Sequence, residues 1–237
     1  MEYLLYLESG PQHRKTMVHV PRLLGCMANG PTTEAALEAT PEAIRAYLRF
    51  LKRHGEDVDP KTAFETRVAE HVTEGEWLGN GSPYVTFEPD LQPVSADEIE
   101  TLLGRFHGLT QELTAWAETQ SDAYLDAKPD TGRTARHILF HSLGSTGGYL
   151  SAALGGASGF SKVYAAAERG QLGMVEAMWQ IEALAEERVR GTTPEERAFV
   201  RQRPKEIRTL RKALRRVLEH AWEHLAELSR RPGGPQR

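Results

Sequence analysis

The feature that most constrains what this chain can fold into is the helical periodicity between Ser95 and Arg231. Ile99, Leu102, Leu103, Phe106, Leu109, Leu113 and Trp116 recur at intervals of three and four, the repeat that gathers apolar side chains on one face of a helix. Ser95 with Glu98 three residues on is a capping-box pattern, which starts that helix and lets it run to about Thr119. A second helix is expected from Thr134 to Leu154, between Pro129-Asp130-Thr131-Gly132 and the glycine-rich loop Gly155 to Gly159. A third is expected from about Glu168 to Arg190, closed by Gly191. Thr193-Pro194-Glu195-Glu196 then caps a short helix, and a fourth long one is expected from Pro204 to about Arg231. Four amphipathic helices with no strand among them bury their stripes against one another. That predicts an all-α four-helix bundle over residues 95–231, with a tail at 232–237.

The first part of the chain reads differently. Glu2 to Glu8 and Thr16 to Val20 are short and β-prone, and the Ser9-Gly10-Pro11 turn between them favours antiparallel pairing. Leu24 to Ala28 is a candidate third strand before Asn29-Gly30-Pro31. Helical periodicity follows from Thr33, with Ala36, Leu37, Ile44, Tyr47, Leu48 and Leu51 on one face and Gly55 as the stop. Pro41 predicts a break, with Thr40 as a new N-cap, because proline in a helix interior costs about 3 kcal/mol. Thr66 to Val72 and Tyr84 to Phe87 are further strand candidates. The expected class is therefore α+β: a small β-sheet-plus-helix N-terminal domain over residues 1–60, a β extension and linker over 61–94, then the bundle.

Composition excludes several functions. The formal net charge of −4 argues against broad electrostatic attraction to nucleic acid. The basic run from Arg201 to Arg216 holds eight Lys and Arg residues, and its Arg208, Arg211, Lys212, Arg215 and Arg216 avoid the apolar stripe, so a solvated face is expected. Cys26 is the single cysteine, so no intrachain disulfide can form. No signal-peptide pattern and no apolar run long enough for a membrane span is present, which makes a cytoplasmic protein the expectation. There is no phosphate-binding glycine loop and no nucleophile-elbow motif.

The pattern that points to chemistry lies on the last helix. His220 and His224 stand four residues apart, close enough at about 5–6 Å between Cβ atoms for two imidazoles to share one ion. They sit on one edge of the stripe formed by Ile207, Leu210, Leu214, Val217, Ala221, Leu225 and Leu228. A metal with an open position needs a third protein ligand, and His141 on the second helix is the candidate, with His137 one turn earlier as the alternative. Glu219, Glu223 and Glu227 are near enough to bond either histidine instead, so spacing alone also admits a half-exposed histidine paired with a carboxylate. Imidazole suits zinc, nickel, copper and iron, and zinc or nickel is the expected divalent ion.

Two resemblances add to this reading. The run Val20 to Glu56, with Pro21, Gly25-Cys26, Gly30, Thr32 and a helix start over Glu34 to Leu37, resembles the HicB-like antitoxin domain. That resemblance implies a small sheet on a helix that binds a protein partner, typically a small toxin, and has no catalytic role. The DNA-binding module that usually follows such a domain has no counterpart here. The segment GRTARHILFHSLGSTGGYL, Gly132 to Leu150, looks like the second helix of DinB-like (damage-inducible) four-helix proteins. There a histidine late in this helix joins an H-x-x-x-H pair on the fourth helix around a divalent metal, which implies His141, His220 and His224 here. Arg133 stands where that family often carries tryptophan, and Gly144, Gly147 and Gly148 make the helix unusually glycine-rich. The resemblance implies a metal-dependent hydrolase or thiol transferase acting on a small-molecule substrate, with no general base assignable. The alternative is a non-enzymatic regulatory module of the toxin-antitoxin type. A homodimer is the default assembly.

Overall fold

The computed structural model describes residues 1–236. It has an N-terminal mixed sheet followed by a helical region, an α+β fold as expected. The sheet is built from β1 (Glu2–Ser9), β2 (Arg14–His19), β3 (Met27–Thr32) and β4 (Glu65–Val72), in the order β3-β2-β1-β4. β1 to β3 form an antiparallel meander. β4 returns parallel to β1 after the crossover through α1 (Thr33–Arg53). Tyr84 to Phe87 forms no strand; it runs as a loop whose Val85 and Phe87 pack on Tyr6.

The landmark residues of the N-terminal part each have a local cause. A Cβ at Gly25, where φ is +103°, would run into the Tyr47 hydroxyl, which donates to the Leu24 carbonyl at 2.7 Å. A Cβ at Gly30 would lie 2.5 Å from the Ala36 backbone nitrogen. Thr32 caps α1 by accepting from the Ala35 N–H at 3.2 Å. The break expected at Pro41 is absent, and α1 runs through it. Thr40 is no N-cap; its hydroxyl donates back to the Ala36 carbonyl at 2.8 Å inside a continuous helix. Tyr47, Phe50 and Leu51 are fully buried there. At about 1.5–3 kcal/mol per large apolar side chain, their packing offsets the proline penalty.

The helical region contains α2 (Ala96–Glu118), α3 (Asp122–Asp126), α4 (Ala135–Leu154), α5 (Phe160–Glu168), α6 (Met174–Arg190), α7 (Pro194–Ala198) and α8 (Leu210–Ser229). The capping boxes at Ser95–Glu98 and Thr193–Glu196 are both formed. The third long helix begins at Met174, because Gly170 and Gly173 separate it from α5. The fourth begins at Leu210. Residues 204–208, expected as its first turns, instead belong to a two-stranded hairpin of β5 (Arg201–Gln202) and β6 (Ile207–Arg208) that turns at Pro204, and Thr209 caps the helix. The four long helices pack in a ring, α2 against α6 and α8, and α4 against α6 and α8.

The last helix is buried nearly all round rather than along one stripe. One side faces the other long helices; another carries Trp222 onto Tyr47 and Phe50 of α1, with ring centroids 5.0 and 5.3 Å apart. One continuous apolar core therefore runs from the sheet through α1 and α8 into the helical ring. The solvated face expected for the basic run is corrected at three positions: Lys212, Arg215 and Arg216 are only 6%, 1% and 2% exposed. Among the described residues, no helix is long and apolar enough to cross a membrane.

Candidate metal centre

The structure brings His141, His220 and His224 together. Thr134 caps α4 and sets the register that places His141 over α8. His220 Nε2 lies 3.0 Å from His141 Nε2 and 3.1 Å from His224 Nε2. His220 and His224 are buried and His141 reaches the surface, so the group opens on one side. His137, the alternative, is exposed and outside this cluster.

The electrostatics keep the nitrogens free to act as ligands. Burial, with His224 beside it, holds the His141 imidazole down at about 4. Burial and the neighbouring His224, Arg216 and His141 hold His220 well below its ordinary value. Both rings are therefore neutral near pH 7 and carry lone pairs. His224 Nδ1 lies 3.0 Å from Glu227 Oε2. Burial pushes the Glu227 carboxyl up, but its bonds to His224 and Arg133 bring it to about 2, so it is an ionised acceptor. The His224 Nδ1–H donates to it, which turns Nε2 toward the cluster. Arg133 Nη2 holds the same Glu227 oxygen at 2.8 Å. Arg133 thus braces the carboxylate that orients His224.

These residues fit a metal ion. Imidazoles bound to one zinc at about 2.0–2.1 Å place their nitrogens about 3.3 Å apart, close to the spacing seen here. Three facing imidazole nitrogens hold too few protons to bond one another fully, whereas a cation satisfies all three. The carboxylate behind a ligating histidine is the usual outer partner of such sites.

Space for a ligand lies beside the cluster. A cleft of about 500 Å³ is lined by His141, Phe140, Gly144, Gly148, Phe160 and Tyr164, among others. A Cβ on Gly147 would come 2.6 Å from Phe160 Cβ, so that glycine admits α5 against α4. A Cβ on Gly148 would meet nothing within 4 Å, and the bare glycine keeps the cleft open. Gly148 also lines a second cleft of about 360 Å³ with Tyr149, Lys212 and Arg216.

Of the three glutamates near the pair, only Glu227 serves it. Glu223 lines a separate hollow with Met27, Asn29 and Ala43. Glu219 points to the N-terminal sheet, into an ionic network that sequence reasoning missed. Its Oε1 accepts from His19 Nδ1 at 2.8 Å, and its Oε2 accepts from Arg215 at 2.9 Å and Arg216 at 3.1 Å. Arg215 also grips both oxygens of Asp90, at 2.7 and 2.8 Å. Glu8 of β1 lies 3.8 Å from His19 Nε2 and accepts from the Gly81 and Ser82 N–H groups. Lys212 donates to the Pro83 carbonyl, the Thr86 hydroxyl and the Ile207 carbonyl, and burial lowers its ammonium to about 8. Each buried charged group here has at least one partner, the condition on which such burial is tolerated, while His19 Nε2 and Arg216 Nε make no hydrogen bond.

Comparison with known proteins bears on the N-terminal part of the chain. The chain is 44% identical to a UPF0150 protein of Thermoplasma acidophilum over 52 residues, which is 22% of this chain and 75% of that relative. Through this N-terminal part the chain belongs to the UPF0150 family, a HicB-like family. No family model matches the chain, and no solved structure does.

Proposed function

We propose that the helical region is a DinB-like four-helix bundle that binds a divalent metal, zinc or nickel, through His141, His220 and His224. The observation that carries this reading is the convergence of three imidazole nitrogens, one ring braced by Glu227, at the edge of an open cleft. Bound there, such an ion polarises a carbonyl or lowers the pKa of a coordinated water or thiol. The chain's own residues do the rest. Glu227 fixes the ring of His224, Arg133 holds Glu227, and Phe140 and Tyr164 wall the cleft in which a small substrate would lie. This arrangement supports a metal-dependent hydrolase or thiol transferase. Metal analysis of untagged protein, with His224→Ala alongside, tests it: wild type retains an ion that the variant loses, and a metal-free wild type that binds none on titration refutes it.

A second reading concerns the N-terminal domain and rests on the family match. A HicB-like domain is suited to hold a small protein partner of the toxin-antitoxin type. In that reading the helical region is a scaffold or sensor attached to a binding module. Pull-down of a small toxin-like protein by the full chain, lost on disrupting the sheet surface, supports it; activity on small molecules with no protein partner recovered opposes it.

A further inference from the structure

A second cluster of metal-ligating side chains lies across the α2–α6 seam. His107 of α2 faces Glu182 and Glu186 of α6, and one ligand atom from each lies within 4.8 Å of the others. The i, i+4 spacing puts both carboxylates on one face of α6. Glu182 is only 4% exposed, among Met178, Ile181, Ala185 and Val189. Its Oε1 meets His107 Nδ1 at 2.6 Å, but its Oε2 is buried without a hydrogen-bond partner. A buried carboxylate oxygen left without a partner carries its full desolvation penalty.

Nearby positive charge is already committed. Arg190 Nη1 bonds Glu186 at 2.9 Å, while its Nε and Nη2 bond Glu100 at 3.0 Å each. Glu100 and Glu186 thus share one guanidinium, and the buried Glu182 is left with His107 as its partner. His107 is exposed and rests tilted against Trp179, ring centroids 5.6 Å apart. That contact holds the ring over α6 and leaves the cluster reachable from solvent.

We propose that His107, Glu182 and Glu186 form a second divalent-cation site, separate from the three-histidine centre. One imidazole and two carboxylates suit zinc or manganese, with water completing the shell. The cation satisfies the bare Glu182 oxygen and balances the carboxylate surplus between α2 and α6. A bound ion there clamps the two helices and raises the stability of the chain by mass action.

Zinc titration of the untagged, chelator-stripped full chain tests this, with zinc alone as the probe. Wild type takes up a second zinc ion beyond the one lost in His220→Ala. Glu182→Gln and His107→Ala each lose that second ion and keep the first. His107 is on the surface, so its variant folds even if the buried Glu182 change does not. Cobalt addition quenches Trp179 emission in wild type and in His220→Ala, but not in His107→Ala, with Trp179→Phe identifying the signal. Uptake of a single ion by wild type, or of both ions by His107→Ala, overturns the proposal and leaves Glu182 explained by the His107 pair alone.

Discussion

Glu219 and His220 are neighbours on α8 and serve different parts of the molecule. Glu219 accepts from His19 of the N-terminal sheet at 2.8 Å, while His220 meets His141 of α4 at 3.0 Å. One helix thereby carries both the ionic network that anchors the sheet and two members of the histidine cluster. Anything that shifts α8 against the sheet is expected to be felt at the histidines.

The anchor itself is testable. Arg215→Met leaves Asp90 and Glu219 buried with fewer partners and is expected to cost about 3–5 kcal/mol. Arg49→Met, which breaks an exposed pair with Glu42, is expected to cost no more than about 1 kcal/mol. Urea denaturation of both variants checks the contrast; equal midpoints would mean that the Arg215 network adds nothing to stability.

The same network gives stability two pH limbs. Burial raises the Glu8 carboxyl, but the charge and contact of His19 leave it below its ordinary 4.5. Its contribution is present above pH 4.5 and is lost as pH falls through the lower folded value. Burial lowers His19, but Glu219 and Glu8 more than offset this and raise it above 6.5. Its contribution is complete below pH 6.5 and is lost as pH rises through the higher folded value. Glu8→Gln is expected to flatten the acid limb and His19→Gln the alkaline one. Melting temperature followed from pH 3 to 9 measures this, and a His19→Gln profile parallel to wild type would count against the ionic role of His19.

Glu227 acts through His224. Glu227→Gln keeps the shape but removes the ionised acceptor that fixes the ring. Loss of such an outer partner lowers metal affinity about 10–100-fold. Competition with a chelator of known strength reads the affinity directly, and an unchanged value would show that His224 needs no brace.

The glycines of α4 are predicted to differ in sign. Gly147→Ala meets Phe160 at 2.6 Å, an overpacking cost of about 1–3 kcal/mol that outweighs the gain in helix propensity. Gly148→Ala meets nothing within 4 Å and is expected to gain up to about 1 kcal/mol. Thermal melts of the two variants should shift in opposite directions; shifts of the same sign would remove the packing role given to Gly147.

What was legible in the sequence was local. The capping boxes at Ser95 and Thr193, the long amphipathic stripes and the four-residue spacing of His220 and His224 are all decided within a few turns of chain. Pro41 misled because its penalty is local, whereas the burial of Tyr47 and Phe50 that outweighs it is tertiary. Lys212, Arg215 and Arg216 read as a solvated face because, Glu219 apart, the groups that hold them inside, Pro83, Asp90 and Glu8, lie more than a hundred residues away. Tyr84 to Phe87 has β-prone side chains, but it packs as a loop on Tyr6 and finds no strand to pair with. Glu227 had a readable signal, standing three residues after His224, but nothing in the spacing distinguished it from Glu219 and Glu223. The Glu182–Glu186 pair is equally visible as an i, i+4 motif, and only the α2–α6 packing shows that His107 completes it.

The central claim is that His141, His220 and His224 hold one metal ion. Anomalous diffraction at the zinc edge, from crystals of the untagged full chain grown with zinc, tests it most directly. A peak about 2.0–2.1 Å from the Nε2 atoms of all three rings is the predicted result. Zinc-saturated crystals with no peak there, and with the three imidazoles bonded only to one another, to Glu227 and to water, would contradict it.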